Sequence, residues 1–125
     1  MKVSQVIPIL RIFDEAKALE FYVGWLGFTI DWTHRFDDNA PLYMQISLNG
    51  IVLHLSEHHG DSTPGAKVFI ECEGVREFHK ELNEKQYKYN RPGLQTEPWD
   101  SISVTVVDPF MNRLVFNERL HTDTE

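Results

Sequence analysis

Residues 98–116 read PWDSISVTVVDPFMNRLVF, and this stretch decides the fold more than any other part of the chain. A Pro-Trp pair leads into SISVTVV, where polar and apolar residues alternate as they do in a β-strand. Asp108 and Pro109 then give a turn signal, and the apolar run LVF follows. The stretch therefore predicts two neighbouring strands joined by a turn.

Composition places the rest of the chain in one soluble globular domain spanning residues 1–125, with 42% hydrophobic and 25% charged residues. The net charge of -7 argues against nucleic-acid binding, which needs clustered Lys and Arg, and is compatible with a cationic ligand. No apolar run approaches the roughly 20 residues of a membrane span, and charge comes too early in MKVSQVIPILRIFDEAK for a secretory signal. We expect a cytoplasmic protein without membrane contact.

The first half of the chain predicts a strand, a helix and three more strands. QVIPILRI reads as a strand with Ile7, Ile9 and Arg11 on one side, and Pro8 suggests that the strand lies at a sheet edge. Asp14 is a candidate N-cap and Gly27 a candidate left-handed stop for the helix. The predicted apolar stripe of this helix consists of Ala16, Leu19, Val23 and Leu26.

Three strand-like runs follow the helix: FTIDWTHRF, PLYMQISL and IVLHLSE. The last two are joined at Asn49 and Gly50, a strong hairpin signal. The first half therefore has the order βαβββ.

The pattern begins again after the Gly- and Pro-containing segment 58–65. AKVFIECE predicts a strand, VREFHKELNEK a helix, and YKYNRPGLQTEPW, SISVTVVD and NRLVFNE three more strands. Aligning Ile7 with Ala66 also aligns Leu10 with Phe69, which indicates an internal repeat. We therefore predict an α+β fold of two βαβββ modules, at about 1–57 and 66–118. Their sheets would form a curved half-barrel cleft, and a polar tail would occupy 119–125.

Two βαβββ modules are the plan of the vicinal-oxygen-chelate or glyoxalase superfamily, and three stretches resemble its bleomycin-resistance branch. These are VIPILRIFDEAKALEFYVGWLGF, IVLHLSEHHGD and TEPWDSISVTVVDPFMNRLVF, of which the Glu-Pro-Trp motif points most narrowly to the resistance proteins. The chain departs from that family at Asp100 and Met111, where Gly is usual. If Met111 adopts a positive φ, its turn would be strained or would differ locally.

The resemblance implies that the metal site of the superfamily's enzymes is missing. In those enzymes the first and last strands of each module supply the ligands. The corresponding positions here are Ile7, His54, Ala66 and Val115. Three of these four side chains have no donor atom, so no metal and no cofactor are expected. This is the expected state of a bleomycin-resistance protein, which works by binding, and we do not expect an enzyme.

The candidate ligand-binding residues are aromatic or charged. Trp32, Phe36, Tyr43 and Trp99 lie on predicted strands or strand starts along the cleft, where rings can stack on a planar ligand, although core packing is the alternative for Tyr43 and Trp99. The candidate acidic rim residues for a cationic end are Asp31, Asp37, Asp38, Glu97 and Asp100, although an ordinary solvated surface is the alternative for each. Arg11 shares the inward parity of Ile7, and we expect it to pair with a carboxylate such as Glu71 or to meet an anionic ligand.

These observations predict metal-independent binding and sequestration of a planar, cationic small molecule, for which a bleomycin-type antibiotic is one candidate. In the resistance family two chains share ligand grooves, so the resemblance implies a homodimer. The alternative is a metal-dependent glyoxalase, dioxygenase or thiol transferase that uses His54 with a partner such as Glu71 or His34. A scaffolding module without a small ligand is a third possibility.

Overall fold

The computed structural model describes residues 1–120, and within them the chain forms two βαβββ modules. The helical elements are α1 (Glu15–Leu19), a π-helical segment (Glu20–Trp25) and α2 (Val75–Glu84). The strands are β1 (Ile9–Arg11), β2 (Thr29–His34), β3 (Tyr43–Leu48), β4 (Ile51–Ser56), β5 (Lys67–Glu71), β6 (Leu94–Glu97), β7 (Ser101–Val107) and β8 (Arg113–Arg119). The predicted α+β class with two βαβββ modules is confirmed. None of the helices formed by these residues is long and apolar enough to cross a membrane.

The first module has a four-stranded sheet in the order β1-β4-β3-β2. Strand β1 runs parallel to β4, and the other two pairs are antiparallel. The predicted edge position of the first strand is confirmed. The predicted hairpin is also confirmed, since Asn49 and Gly50 both have positive φ, 50° and 91°, as a tight two-residue turn requires.

The first helix begins as predicted but buries a different stripe. The Asp14 side chain accepts a hydrogen bond from the Lys17 backbone N–H at 2.9 Å, and Gly27 ends the helical region with φ of 94°. Ala16 is exposed, whereas the buried side chains are Ala18, Phe21, Tyr22, Trp25 and Leu26. Of the predicted stripe only Leu26 is fully buried, while Leu19 and Val23 are half-buried. The reason is that the large aromatic rings of Phe21, Tyr22 and Trp25, which bury the most apolar surface, occupy the core side of the helix.

The second module repeats this topology, with a sheet in the order β5-β8-β7-β6. Leu10 pairs with Leu55 in the first sheet, and Ile70 pairs with Phe116, whose ring lies 4.7 Å from that of Phe78 in α2. Ile70, and not Phe69, is therefore the counterpart of Leu10. The predicted repeat alignment is wrong by one residue in this strand, and Phe69 faces away from α2 with 54% of its surface exposed.

By contacts, the described chain divides into two compact units. The first consists of Met1–Ala66 together with Asp108–Asn112, and the second contains Lys67–Val107 and strand β8. The turn between β7 and β8 thus belongs with the first unit, although it connects strands of the second. Of the predicted polar tail, residues 121–125 lie outside the described residues.

Candidate functional site

One face of the first sheet carries aromatic and hydrogen-bonding side chains. The Cα register places Ile9, His54, Gln45 and Trp32 in one row across the four strands. The neighbouring row on the same face consists of Arg11, Ser56, Tyr43 and His34. The residues between them in β3 and β4 point to the other face and are buried: Met44, Ile46, Leu53 and Leu55. Strand periodicity therefore separates a core face from a face that is available for binding.

A β-bulge adds Asp31 to this second face. Ile30 pairs with Ile46 and Trp32 with Gln45, so Asp31 has no partner residue in β3. Its carboxylate accepts hydrogen bonds from Gln45 Nε2 at 3.0 Å and from Ser47 Oγ at 2.9 Å. The bulge thus lets two consecutive residues, Asp31 and Trp32, face the same way. We call the surface formed by Asp31, Trp32, Tyr43, Gln45 and His54 the aromatic face.

The rings of Trp32 and Tyr43 lie parallel on the aromatic face. Their centroids are 6.0 Å apart at an interplanar angle of 11°, and Trp32 is 43% exposed. The His54 ring meets both edge-on, with centroid distances of 5.3 Å to Trp32 and 5.1 Å to Tyr43. The exposed indole beside a parallel, half-buried phenol ring offers a stacking surface for a flat molecule.

A chain of hydrogen bonds joins Tyr43, His54 and Gln45 on the aromatic face. The Tyr43 hydroxyl lies 2.7 Å from His54 Nδ1, and His54 Nε2 lies 3.0 Å from Gln45 Oε1. Burial lowers the pKa of His54, while burial and then the charge of Asp61 raise the pKa of Tyr43. Both side chains are therefore neutral at pH 7, and both ring nitrogens of His54 have protein partners.

Phe36 lies on the loop that joins β2 to β3 and is 79% exposed. Its ring centroid is 4.9 Å from that of His34 and 6.2 Å from that of His58, which is in turn 6.2 Å from the Tyr43 ring. The structure therefore brings Phe36 to the border of the aromatic face, together with two histidines.

Arg35 holds the loop that carries Phe36. Its guanidinium donates hydrogen bonds to the Ala40 carbonyl oxygen at 2.7 Å and to the Glu15 carboxylate at 2.6 Å. Sequence reasoning missed this residue, because neither partner is recognisable before the fold has placed α1 beside the loop.

Arg11 does not form the predicted pair with Glu71, which lies 3.6 Å from Arg119 instead. The Arg11 guanidinium packs over the Phe13 ring at 4.5 Å, and its buried Nε has no hydrogen-bond partner among the described residues. Arg11 lies on β1, at the opposite edge of the sheet from Asp31 and Trp32.

The other three candidate residues lie in the second unit. Trp99, in the turn between β6 and β7, is 59% exposed and is thus not a core residue. Glu97 accepts a hydrogen bond from Ser103 Oγ at 2.5 Å, and Asp100 has a φ of 64°. The structure brings Trp32, Phe36 and Tyr43 together in the first unit.

Residues 1–120 contain no group of three or more His, Cys, Asp and Glu side chains placed to hold a metal ion. Ile9 is the neighbour of His54 on β1. The partners considered for a metal-binding His54 also have other contacts, since Glu71 lies beside Arg119 and His34 packs against Phe36.

A family model described as glyoxalase superfamily protein matches residues 1–123. The chain belongs to the glyoxalase superfamily. This superfamily member is 28% identical to a bleomycin resistance protein of Geobacillus stearothermophilus over 134 residues, which cover 93% of this chain and 97% of that protein. A bleomycin resistance protein of Staphylococcus aureus gives the same values. The resemblance to bleomycin-resistance proteins that the sequence motifs indicate is confirmed.

Solved structures share the fold of this superfamily member. TnmS3, an antibiotic binding protein from Streptomyces sp. CB03234, superposes with a TM-score of 0.71 at 20% identity, covering 95% of this chain and 98% of that one. A bleomycin-binding protein complexed with bleomycin gives a TM-score of 0.68 at 19% identity, covering 94% and 99%.

At its two departures from the family pattern, this superfamily member keeps the backbone that Gly would favour. Asp100 has φ of 64° and Met111 has φ of 72°, both in the left-handed region. Asp tolerates that region better than Met, so the strain is greater at Met111.

Proposed function

We propose that this protein binds and sequesters a planar, cationic small molecule of antibiotic type in the cytoplasm, without a metal ion and without breaking a bond. The observation that carries the proposal is the exposed Trp32 ring, which lies parallel to the half-buried ring of Tyr43. A flat ligand that covers the indole gains apolar burial and ring stacking. The names of the relatives, bleomycin resistance protein and antibiotic binding protein, support the same class of ligand.

The cationic character of the ligand is supported by the charges around the stack. The Asp31 carboxylate lies beside Trp32 and receives its hydrogen bonds from two neutral side chains, Gln45 and Ser47. The electron-rich face of an indole also attracts cations. The net charge of -7 adds a favourable long-range field.

Metal-independent binding is supported by the environment of His54. A metal ion binds a histidine through a free ring nitrogen, and here Nδ1 and Nε2 are engaged by Tyr43 and Gln45. Coordination would cost one of these hydrogen bonds. The aliphatic Ile9 beside His54 offers no second ligand.

We also propose that two chains associate as a homodimer. Strand β2 is a sheet edge whose six residues are all exposed, including the apolar Ile30 and Trp32. An unpaired edge with apolar side chains is a surface that proteins usually cover. Sedimentation equilibrium should give twice the mass of the chain, and a monomer at micromolar concentration would refute this part of the proposal.

The direct test is calorimetric titration with metal-free bleomycin in the presence of a chelator. We expect saturable binding, and we expect Trp32→Ala to weaken it about ten-fold, since a buried ring stack contributes up to about 1.5 kcal/mol beyond its area. The matched control is Tyr89→Ala, which removes another exposed aromatic ring, in the second unit, and should leave the affinity unchanged. Absence of heat, or equal affinities in the wild type and Trp32→Ala, would refute the drug-binding proposal.

A further inference from the structure

The hydrogen-bond chain on the aromatic face has a fixed direction that starts at Asp31. An ionised carboxylate can only accept hydrogen bonds, so the group that Gln45 turns towards Asp31 must be its amide N–H. The Gln45 carbonyl oxygen is thereby directed at His54. The Asp31 carboxylate therefore fixes the orientation of the Gln45 side-chain amide.

The orientation of the Gln45 amide also determines which nitrogen of the His54 ring carries the proton. An oxygen acceptor at Gln45 requires the proton of neutral His54 to be on Nε2, which leaves Nδ1 as an acceptor. The Tyr43 hydroxyl must then donate its proton to Nδ1. The phenol proton points inward, and the remaining lone pairs of the Tyr43 oxygen are left for a ligand.

We propose that Asp31 is the specificity-determining residue of the aromatic face, because it makes this face a hydrogen-bond acceptor surface that selects planar cations with N–H donors over neutral planar molecules. The inference rests on the proposed function and names its ligand class more narrowly. The Asp31 carboxylate, the Tyr43 oxygen and the Trp32 ring all favour a donor-rich cation.

The charged groups around the site agree with this assignment. Asp61, which accepts a hydrogen bond from Ser56 Oγ at 2.6 Å, is close enough to Tyr43 to raise its pKa. Arg11 also lies on this face of the sheet, but three strand spacings, about 14 Å, separate β1 from β2. A ligand stacked on Trp32 therefore meets negative charge first.

Replacing Asp31 by Asn should remove the constraint on the direction of the chain. The Asn amide can either accept a hydrogen bond from Gln45 or donate one to it, so both orientations of the Gln45 amide become possible. The ¹⁵N imidazole shifts of His54, measured at pH 8, should report the Nε2–H tautomer in the wild type and a mixture of the two tautomers in Asp31→Asn. Asp38→Asn, which removes the same charge from the exposed loop between β2 and β3, should keep the wild-type tautomer. An Nδ1–H tautomer in the wild type would overturn the proposal.

Ligand selection is tested with two flat probes of similar size at pH 8. One is 9-aminoacridine, which is cationic and carries N–H donors, and the other is acridine, which is neutral and has only an acceptor nitrogen. We expect the wild type to prefer the cation, and Asp31→Asn to lose about five-fold in affinity for it, the upper range for an exposed charge pair. The affinity for acridine should be the same in the wild type and in Asp31→Asn.

The results of these experiments distinguish the role of Asp31 from ligand stacking on the aromatic face. If both probes bind and Asp31→Asn does not change the preference, the role of Asp31 is refuted while stacking on the aromatic face stands. If the wild type binds neither the two probes nor metal-free bleomycin, the proposed function fails and the assignment to Asp31 fails with it.

Discussion

The two modules share one topology, but the sheet faces opposite the buried apolar rows differ in chemistry and in exposure. In the first module that face presents Trp32, Tyr43 and His54. In the second, the corresponding positions of β7 and β8 include Ser101, Ser103, Thr105 and Asn117. The Ser101 hydroxyl donates to Asn117 Oδ1 at 2.9 Å, so these polar groups bind each other. A repeated backbone therefore does not repeat a binding surface, because the residues on one face of a strand vary independently of those on its other face.

The hairpin turns of the two modules also differ. The β3–β4 turn is the short Asn49 and Gly50 pair, whereas the β7–β8 turn is Asp108–Asn112 and belongs with the first unit. Asp108 is buried and accepts hydrogen bonds from the Tyr22 hydroxyl at 2.7 Å and the Phe110 and Asn112 N–H groups at 2.8 Å. The Asn112 amide donates to the Arg11 carbonyl oxygen at 2.8 Å. The longer turn thus completes the first unit.

The largest expected effect comes from breaking this turn. Asp108→Ala leaves the Tyr22 hydroxyl and two backbone N–H groups without their acceptor, and we expect a loss of about 3 kcal/mol in the free energy of unfolding by urea denaturation. Tyr22→Phe removes one of these bonds and should cost about 1 kcal/mol. Asp38→Ala, at an exposed position, is the control and should have little effect. A loss no greater than that of the control would show that the turn does not anchor the first unit.

A smaller and opposite effect is expected where left-handed backbone is occupied by a residue other than Gly. Met111→Gly should raise the free energy of unfolding by about 0.5 to 1 kcal/mol, because relief of strain exceeds the added entropy of the unfolded chain. Asp100→Gly, in the second unit, should gain less. Asn49→Gly is the control, since Asn already tolerates positive φ. Thermal and urea unfolding measure all three, and a destabilised Met111→Gly would mean that the methionine side chain has a packing role.

Much of this comparison could be predicted from the sequence, where the deciding interactions are local. The Asn49 and Gly50 turn, the Asp14 cap and the Gly27 stop depend on neighbouring residues. The positions of Trp32 and Tyr43 on predicted strands made both residues candidates for the ligand surface. The β-bulge at Asp31 could not be predicted from the sequence, because it depends on the register between β2 and β3. The buried stripe of the first helix, which includes Phe21 and Trp25, was also missed, because spacing alone does not choose between it and the aliphatic stripe.

The contacts that shape the candidate site are less predictable, because they join distant parts of the chain. Tyr22 and Asp108 are 86 residues apart in sequence, and Arg35 and Glu15 are 20 apart. No local pattern identifies such partners. The acidic residues suggested by sequence included Asp31 as well as Glu97 and Asp100, and only the fold shows that Asp31 is the carboxylate beside the stacked rings.

The smallest expected effect is a pH dependence confined to the aromatic face. Because burial lowers the pKa of His54, the folded protein binds fewer protons there than the unfolded chain. This contribution to stability is present above about pH 6.5, the ordinary pKa of histidine, and is lost as the pH falls below it. Protonated His54 would also repel a cation, so affinity for 9-aminoacridine should fall about three-fold between pH 7 and pH 5, as for an exposed charge interaction.

His54→Gln should remove this pH dependence, and His79→Gln, in the second unit, should keep it. Calorimetry at each pH measures the affinity. If the affinity of His54→Gln for 9-aminoacridine changes with pH as it does in the wild type, another group is responsible. That result would contradict the role of His54 on the aromatic face.

Ligand binding by the aromatic face of the first sheet can be followed through the indole N–H signals of the three tryptophans in ¹H–¹⁵N spectra. Metal-free bleomycin is added until the complex is saturated. Trp25 is buried and serves as the internal reference, while Trp99 reports on the second unit. We expect a large change in the chemical shift of the Trp32 signal and no change in that of the Trp25 signal. A saturated complex in which the Trp32 signal does not move would contradict ligand binding by the aromatic face.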